Sequence, residues 1–580
     1  MVKIDIAENR VRVVIPLDHY FQQNLDAVKA VGGGRYQVSE TYGKHHHFPL
    51  TRLGKVMAAF PNGCYGKELS AYVERLKRAA ELKAMTEAPQ PVGIMVKLRR
   101  LQAVDVQFLS TLPRCILANP VGTGKTFAGI CYAMNRRSAG LHNELNGVLV
   151  VTKSSGKYDY RAAILACVPG ARVVIIDGRD GWFPPAGSVD FVVLNYDILS
   201  FRLEQIKAFK FAAVVFSEAH KLKGVKPPKK AKDGTEVAQG SQRGNAGLEI
   251  SSFVPNILME TASLKKHRNS DVFPLLQILG YVSADDYYPW HIRYCGTTKT
   301  LMGEVVNYPA EKKRINRRGV MRYDFSGSSY NEELHEALAP FTVSRSKAEM
   351  LPDLPEHSCT PIPVDIDNYA EYRAAQKNFL KWLAEEKGLE AVERAKRAQA
   401  ITKLGALLQL SAIGKVSAII ELLESYVDAE EKVVVFSSYR APLVKLFEKF
   451  PELSVTITGD DSPVKKDMAV KRFQDDPSTL LCLCSTEAGG ESINLQHACH
   501  TCLFVTLPWS PMDFEQAYGR CHRDGQRFPV QSIVPIARQT VEVDQVESLY
   551  GKAIDISKVL SASDRSENTE SLRKILAALG

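Results

Sequence analysis

The chain has 580 residues, of which 45% are hydrophobic and 24% charged, so it predicts two or more globular domains, each large enough to bury its own core. Because we find no run of 18 apolar residues and no N-terminal signal pattern, we expect neither a membrane span nor export. The formal net charge of +9 is compatible with a nucleic-acid partner but does not require one.

The cysteines favour a reducing, intracellular compartment, with the cytoplasm preferred and the nucleus as the alternative. The chain has 11 cysteines with no paired framework, and most follow apolar strand-like runs such as residues 480–484. Cys499 and Cys502 have a metal-like spacing, but no second pair accompanies them. We therefore expect buried cysteines here rather than a zinc site.

Residues 1–90 have the pattern of a small α+β domain, with a strand over 11–15, a helix over 21–31 and a hairpin of 35–38 with 44–48. The hairpin region mixes basic and aromatic side chains, a mixture typical of nucleic-acid surfaces. These side chains are Arg35, Lys44 and His45 to His47 with Tyr36, Tyr42 and Phe48. The alternative is that this domain only packs against its neighbour.

Two later regions alternate apolar strands with helices, the pattern of doubly wound parallel sheets covered on both faces. We expect a first lobe over 91–360, a helical linker over 361–410 and a second lobe over 411–580. The fold class is thus α/β, with two RecA-like parallel-sheet lobes joined by helices and a small α+β domain before them. The predicted strands are 148–152, 173–177, 191–195, 212–216 and 256–261, then 432–438, 455–458, 480–485, 501–507 and 530–537.

A glycine turn lies between an apolar run and a helical segment at Asn119 to Thr126, whose sequence is Asn-Pro-Val-Gly-Thr-Gly-Lys-Thr. This is the layout of a phosphate-binding loop, although Asn119 replaces its usual first glycine. Gly122, Thr123 and Gly124 offer backbone N–H groups to phosphates, and Lys125 can reach the β- and γ-phosphates. The Thr126 hydroxyl can ligate Mg²⁺. We therefore expect ATP and Mg²⁺ as cofactors.

The apolar run 212–216 is followed by Ser217 and by an acidic residue, Glu218, at the predicted strand end. In phosphate-loop ATPases this position holds the acid that helps bind Mg²⁺ and the acid that activates water. Glu218 is available as the base. Ser217 stands where aspartate is usual and offers the metal no negative charge, so Mg²⁺ affinity or turnover is in question.

Arg520 and Arg523 are three residues apart in the run Phe514 to Gln526, so the spacing predicts that they share one helical face. Guanidinium groups suit the growing charge of a γ-phosphate in the transition state. Upstream, Thr486 to Asn494 predicts a glycine turn after a strand, suited to backbone contact with a nucleic-acid phosphate.

A separate basic stretch, 223–232, predicts a flexible loop, with a nuclear-localisation signal as a weaker interpretation.

Taken in order, these motifs resemble the Swi/Snf-type ATPases of helicase superfamily two over roughly residues 95–560. The matching segments are 98–102 (the glutamine motif that reads adenine), 119–126 (motif I), 194–197 (Asn-Tyr-Asp), 217–220 (the Asp-Glu-Ala-His box), 261–263 (motif III), 273–281, 488–495 (motif V) and 516–526 (motif VI). Residues 290–295, 414–416, 34–36 and 47–50 further resemble the HARP-type annealing helicases, which rewind DNA and remodel branched structures.

The resemblance implies ATP in a cleft between two lobes and duplex or branched DNA across them, with Gln102 and Gln516 among the nucleotide contacts. We assign DNA contacts to Lys153, Thr486, Gly489, Gly490 and Trp509. The sequence departs from the family at three positions: Ser217, Asn119, and Ser492 where motif V usually has glycine.

We therefore expect a DNA-dependent ATPase that translocates on double-stranded DNA and remodels or anneals branched DNA in replication, repair or recombination. Glu218, Arg520 and Arg523 would be its catalytic residues, and we expect a monomer. One alternative is a non-hydrolysing, ATP-switched DNA-binding module whose turnover was lost with the aspartate at 217. A weaker alternative is an RNA helicase, which the Swi/Snf-like motif VI argues against.

Overall fold

The computed structural model of the protein describes every residue except 40, 42, 141–145, 231–235, 266–267, 302–303, 315–320, 378–398, 490–492, 562–566 and 580. The chain divides into two compact units. The first contains residues 1–120, 124–350 and 558–562, and the second contains 121–123, 351–557 and 563–580.

The first unit begins with a five-stranded, mainly antiparallel sheet in the order β3-β4-β2-β1-β5. Its predicted helix and hairpin are confirmed. The elements are β1 (Lys3–Ala7), β2 (Arg10–Val14), α1 (Phe21–Val31), β3 (Arg35–Ser39), β4 (Gly43–Pro49), α2 (Leu53–Ala59), β5 (Cys64–Tyr65) and α3 (Lys67–Ala84).

The large sheet of the first unit has seven parallel strands in the order β18-β6-β13-β10-β7-β9-β8. Its central strands are continuous apolar runs because helices cover both faces. The strands are β6 (Arg114–Leu117), β7 (Asn146–Thr152), β8 (Val173–Ile175), β9 (Phe191–Asn195), β10 (Phe211–Ser217), β13 (Asn256–Glu260) and β18 (Thr342–Val343). The helices are α4 (Arg100–Thr111), α5 (Lys125–Gly140), α6 (Gly156–Cys167), α7 (Leu203–Phe209), α8 (Gln242–Phe253), α9 (Phe273–Ile278), α10 (Tyr287–Tyr294), α11 (Asn331–Leu338) and α12 (Lys347–Met350).

Three antiparallel hairpins accompany this sheet: β11 (Val225–Lys230) with β12 (Glu236–Gly240), β14 (Thr297–Leu301) with β15 (Glu304–Tyr308), and β16 (Lys312–Arg314) with β17 (Met321–Tyr323). The first hairpin corrects a prediction. The basic stretch was expected to be a flexible loop, but its residues 225–230 pair with β12 across a register shift. The adjacent Pro227 and Pro228 lie within that irregularity, which is where a strand tolerates proline. Residues 231–232 of the stretch lie outside the described part of the chain.

The sheet of the second unit has six parallel strands in the order β19-β24-β23-β20-β22-β21. The strands are β19 (His357–Val364), β20 (Val433–Ser437), β21 (Ser454–Ile457), β22 (Leu481–Ser485), β23 (Thr501–Phe504) and β24 (Val530–Ala537). The helices are α13 (Tyr369–Lys377), α14 (Gln399–Gly414), α15 (Val416–Asp428), α16 (Arg440–Lys449), α17 (Pro463–Asp475), α18 (Thr486–Gly489), α19 (Pro511–Tyr518), α20 (Glu542–Ser561) and α21 (Glu567–Leu579).

The predicted α/β class and both parallel sheets are confirmed. Strand β19 was not predicted, although it pairs with β24 along its full length. Its Pro361 and Pro363 lack backbone N–H donors, so the sequence pattern does not indicate a strand. Proline is tolerated here because β19 lies at the edge of the sheet. The predicted linker therefore begins with the last residues of a strand, and its residues 378–398 lie outside the described part.

Salt bridges attach the N-terminal sheet to the rest of the first unit. The Arg10 guanidinium donates two hydrogen bonds, of 2.7 and 3.0 Å, to the Asp286 carboxylate. Arg52 and Lys55 each lie 2.7 Å from the carboxylate of Glu333. These partly buried ion pairs support the packing role that the sequence left open, without excluding a DNA surface on the exposed side.

The predicted basic and aromatic surface is only partly present. Arg35, Tyr36 and Lys44 are exposed, whereas Phe48 is fully buried in the N-terminal core and His45 is buried. These two are three residues apart on β4 and so point to opposite faces, which means that neither face of this strand is fully open to solvent. Tyr42 lies outside the described residues.

Cys499 and Cys502 are buried as expected. Among the described residues, no group of three or more His, Cys, Asp or Glu side chains is suited to a metal.

No single helix in the described part is long and apolar enough to cross a membrane. One pair of helices, Thr402–Gly414 with Val416–Asp428, meets the length and composition criteria together but is bent by 47°.

Candidate nucleotide-binding site

The phosphate loop has the backbone that its glycines predict. It joins β6 to α5, and Gly122 and Gly124 have φ values of 80° and 74°, which side chains other than glycine rarely adopt. Helix α5 begins at Lys125, whose Nζ donates to the carbonyl oxygens of Asn119 and Pro120 at 2.8 and 2.9 Å. The lysine is thus held at the helix N-terminus, where a phosphate would bind.

Asn119 replaces the usual first glycine because it anchors the loop. Its buried side-chain amide donates to Asp105 Oδ2 at 2.7 Å, and its Oδ1 accepts from the Arg345 backbone N–H at 3.0 Å. Arg345 Nε also donates to Asp105 Oδ1 at 2.6 Å. This departure from the family pattern therefore has a structural reason. Sequence reasoning missed Asp105 and Arg345, which carry no motif signal.

Gln102 connects the start of α4 to the phosphate loop. Its Oε1 accepts from the Arg99 backbone N–H at 2.8 Å as part of a helix-capping arrangement, and its Nε2 lies 3.4 Å from the carbonyl oxygen of Gly124. A Cβ on Gly124 would lie 2.4 Å from that Nε2. The structure therefore places the predicted adenine-reading glutamine against the loop.

Ser217 ends β10, and Glu218 follows it in the left-handed region with φ 56°. The Glu218 carboxylate lies 3.3 Å from His220 Nδ1. Burial alone would raise the pKa of Glu218, but the nearby His220 and the charges of Lys125 and Lys153 hold it well below its usual range. The predicted base is therefore ionised, and Lys153, predicted to contact DNA, contributes to this field.

The Asn-Tyr-Asp segment supports the same strand end. The Tyr196 hydroxyl donates to the carbonyl oxygen of Ser217 at 2.8 Å. His220 Nδ1 also lies 3.5 Å from Thr261 Oγ1, and that hydroxyl donates to the carbonyl oxygen of Ser263 at 2.6 Å. Three segments singled out in the sequence thus meet at the carboxyl ends of β9, β10 and β13.

Glu260 is a site residue that sequence reasoning missed. It ends β13 directly opposite Ser217 in the parallel register and is 1% exposed. Tyr160 donates to its Oε2 at 2.6 Å, whereas its Oε1 is buried and accepts no hydrogen bond from the described residues. Burial raises the pKa of Glu260 to about 7, against the opposing effects of Tyr160, Lys125 and the Ser217 hydroxyl.

These donors fit a nucleotide with Mg²⁺. The loop offers N–H groups and an ammonium to phosphate oxygens, and Thr126 lies in the first turn of α5. Carboxylate and hydroxyl oxygens are the ligands that Mg²⁺ prefers. Two buried carboxylate oxygens at these strand ends, Glu218 Oε2 and Glu260 Oε1, accept no hydrogen bond from the residues that the structure describes, which favours a cation nearby.

In the second unit, the prediction that Arg520 and Arg523 share a helical face is wrong. Helix α19 ends at Tyr518 with Gly519 as its cap, so both arginines follow in turns. Arg520 is buried and donates to the carbonyl oxygens of Gln516 and Ile493 at 3.1 and 3.3 Å. Arg523 is half-buried and donates to Asn494 Oδ1.

The remaining predicted residues have different exposures. Trp509 is 39% exposed and precedes α19, whereas Thr486 is buried, and Gly489 lies in the short helix α18 rather than in a turn. Gln516 is half-buried within α19. Gly490 and Ser492 lie outside the described residues. Among the predicted DNA contacts, Trp509 is thus exposed, Lys153 half-buried and Thr486 buried.

Comparison with known proteins agrees with the motifs. The Helicase conserved C-terminal domain family matches residues 414–525. Over 465 residues, 78% of this chain, the sequence is 23% identical to the DNA annealing helicase and endonuclease ZRANB3 of Mus musculus. It is 24% identical over 79% of the chain to the Xenopus laevis SWI/SNF-related matrix-associated actin-dependent regulator of chromatin subfamily A-like protein 1.

A shorter match is stronger in identity: 36% over 138 residues with the Bacillus subtilis uncharacterized ATP-dependent helicase YqhH, covering 23% of this chain and 24% of that protein. The Sulfolobus solfataricus SWI2/SNF2 ATPase core solved with double-stranded DNA is 19% identical, with a TM-score of 0.35, and the match covers 84% of this chain and 98% of that chain. This chain spans about 40% of the length of the annealing-helicase relatives. The predicted resemblance to Swi/Snf-type ATPases and annealing helicases is confirmed.

Proposed function

We propose that this chain is an ATP-driven translocase on double-stranded DNA that remodels or anneals branched DNA. The observation that carries the proposal is the strand-end cluster of the first unit, where Lys125 begins α5 and ionised Glu218 follows β10. A phosphate loop with a strand-end base is the equipment of a nucleoside triphosphatase. The names of the relatives, which include a DNA annealing helicase, support DNA as the polymer.

The residues assigned to the nucleotide have separate chemical roles in this proposal. The N–H groups of residues 122–124 and the Lys125 ammonium bind phosphate oxygens, and Gln102 contacts the adenine. Bound ATP supplies the γ-phosphoryl group, and Mg²⁺ held through Thr126 neutralises its charge. Glu218, kept ionised by His220 and Lys125, accepts the proton of the attacking water.

The catalytic arginines are assigned from the resemblance to Swi/Snf-type ATPases. Arg520 and Arg523 stabilise the charge that grows on the transferred phosphoryl group. Trp509 has the exposure that a nucleic-acid contact requires. We propose Lys153, Gly489 and Gly490 as further DNA contacts, whereas Thr486 is buried and lacks this exposure.

Ser217 is the observation that favours the second candidate, an ATP-switched DNA-binding module without turnover. A serine cannot supply the charge of an aspartate to the metal. Glu218 argues for hydrolysis, because it stands at the strand end where phosphate-loop ATPases hold the acid that activates water. An RNA helicase is the weaker third candidate.

The test is displacement of a third strand from a triplex on duplex DNA, together with annealing of a forked DNA that carries an unpaired bubble. We expect ATP-dependent displacement and annealing by the wild-type protein and neither by Glu218→Gln. A protein that binds ATP and DNA but moves no strand would favour the switch module. Unwinding confined to RNA duplexes would favour the RNA helicase.

A further inference from the structure

Strand β10 ends at Ser217, which carries no negative charge, but the neighbouring strand β13 ends at an acidic residue, Glu260. Ser217 and Glu260 pair directly in the parallel register of β10 and β13. Residues paired in this way point to the same face of a sheet. A carboxylate therefore lies one strand away from the position where the family pattern has aspartate.

Helix α5 shows that Glu260 points toward the phosphate loop side of the sheet. A Cβ built on Gly129 of α5 would lie 1.8 Å from Glu260 Oε1. Gly129 follows Thr126 by three residues, so the two occupy one face of the helix. The carboxylate thus packs against α5 one turn after Thr126, whose hydroxyl is assigned to Mg²⁺.

Gly129 makes room for this carboxylate. Glycine in a helix interior is less favourable than alanine by about 1 kcal/mol, and no turn requires it here, since α5 continues to Gly140. Its missing Cβ leaves the space that Glu260 Oε1 fills. Tyr160 fixes the other oxygen at 2.6 Å.

We propose that Glu260 supplies to the Mg²⁺ site, from the adjacent strand, the negative charge that Ser217 lacks, in the ionised form that a bound cation favours. It acts as a positioning residue, through the Ser217 hydroxyl and ordered water rather than by direct contact with ATP. Gly129 is the partner that allows it to lie there. This inference rests on the proposed ATPase function and explains how the site tolerates serine at 217.

The test measures Mg²⁺ affinity instead of turnover. Fluorescent N-methylanthraniloyl-ADP is bound to the full chain and titrated with MgCl₂, and Mn²⁺ binding is followed separately by electron paramagnetic resonance. Outer-shell partners typically account for 10–100-fold in metal affinity, so Glu260→Gln should raise half-saturating Mg²⁺ and Mn²⁺ by about that factor. Binding of the nucleotide in EDTA should not change.

Restoring the charge on the neighbouring strand gives the sharper result. In the Glu260→Gln background, Ser217→Asp should return Mg²⁺ affinity toward the wild-type value. Gly129→Ala keeps the charge but displaces it, so it should weaken Mg²⁺ binding in the same direction, and it provides the test if Glu260→Gln does not fold. Glu333→Gln, which removes a different partly buried carboxylate of the same unit, should lower thermal stability without changing Mg²⁺ affinity.

Unchanged Mg²⁺ and Mn²⁺ affinity in folded Glu260→Gln, or in Gly129→Ala, would overturn the inference and leave Glu260 as a structural partner of Tyr160. Failure of Ser217→Asp to restore affinity would overturn it as well. Wild-type protein that binds no nucleotide would refute the proposed function instead, so the two failures are distinguishable.

Discussion

The two parallel sheets carry different chemistry at their carboxyl ends. In the first unit these ends lead to Lys125, Glu218 and Glu260, which are charged or titratable. In the second unit, β20 ends at the buried Ser437, whose hydroxyl donates to the carbonyl oxygen of Tyr439 at 2.8 Å, and Thr506 after β23 accepts from the Ser438 N–H at 2.8 Å.

The difference shows that one architecture serves two purposes. In the second unit, hydroxyls bond to nearby backbone at the ends of β20 and β23. At the end of β24 the charges of Lys415 and Glu542 offset each other in a buried ion pair of 2.9 Å, whose carboxylate accepts from the Ala537 N–H. The first sheet instead holds carboxylates at low exposure, which is costly unless a cation or a phosphate chemistry uses them. The arginines of the second unit come from the turns after α19 rather than from strand ends.

Arg523→Ala gives the largest effect expected in this comparison. We expect turnover to fall by about 10³–10⁵-fold with nucleotide affinity and melting temperature almost unchanged, because the side chain is only half-buried. Pre-steady-state ATP hydrolysis and nucleotide titration measure the two quantities. Loss of ATP affinity with normal turnover of bound ATP would show that this arginine has another role.

Arg520→Ala should differ from Arg523→Ala in stability. Its buried guanidinium donates to two backbone carbonyls, and loss of such donors costs about 1–3 kcal/mol. Thermal unfolding of both variants checks this. Equal melting temperatures would mean that the bonds from Arg520 to Gln516 and Ile493 contribute nothing to the fold.

A smaller effect, on affinity for forked DNA, is expected from changes in the N-terminal hairpin of β3 and β4. Because Arg10 pairs with Asp286 and Arg52 with Glu333, deleting the N-terminal region would remove cationic partners from both carboxylates. Replacing the exposed Tyr36 and Lys44 by alanine avoids this. Stacking of a base on an aromatic ring is worth about 1–3 kcal/mol, so affinity for forked DNA should fall by that amount.

Fluorescence anisotropy with a labelled fork measures this loss, and Tyr20→Ala is the matched control because Tyr20 is exposed on the same unit at the start of α1. Equal affinity of the double variant and the control would leave the N-terminal sheet with a packing role alone.

The smallest effect concerns pH. Burial, followed by the charge of Arg10, lowers the pKa of His47 from 6.5 to about 4. Between these values the unfolded chain binds a proton that the folded chain does not, so stability falls as pH falls. The ring is partly exposed, so we expect less than about 1 kcal/mol. Between pH 6.5 and 4, the melting temperature of His47→Gln should decrease less than that of the wild type, whereas His19→Gln, at an exposed position, should follow the wild type. Identical pH dependence in His47→Gln and the wild type would contradict the burial of His47.

Much of the fold followed from the sequence because buried parallel strands are continuous apolar runs, and β9 and β24 begin and end where predicted. Strand β19 did not, since edge pairing tolerates the prolines that make it look like a loop. The helical face of Arg520 and Arg523 failed because a three-residue spacing does not show where Gly519 ends α19.

The site divides in the same way. Lys125, Glu218 and Gln102 have motif signals, and the structure places them together at one end of the sheet. Glu260 has none: it was within a predicted strand, and only the register with Ser217 and the space at Gly129 reveal its place. A single amino-acid sequence does not show which residues of two strands, distant along the chain, lie opposite each other in a sheet.

The measurement that tests the central claim most directly is ATP hydrolysis by the purified chain without nucleic acid and with single-stranded, duplex or forked DNA. The account predicts low basal turnover, stimulation by duplex and forked DNA, and no activity in Lys125→Ala, whereas the exposed Lys207→Ala behaves as wild type. Equal hydrolysis by wild type and Lys125→Ala, or hydrolysis indifferent to DNA, would contradict it.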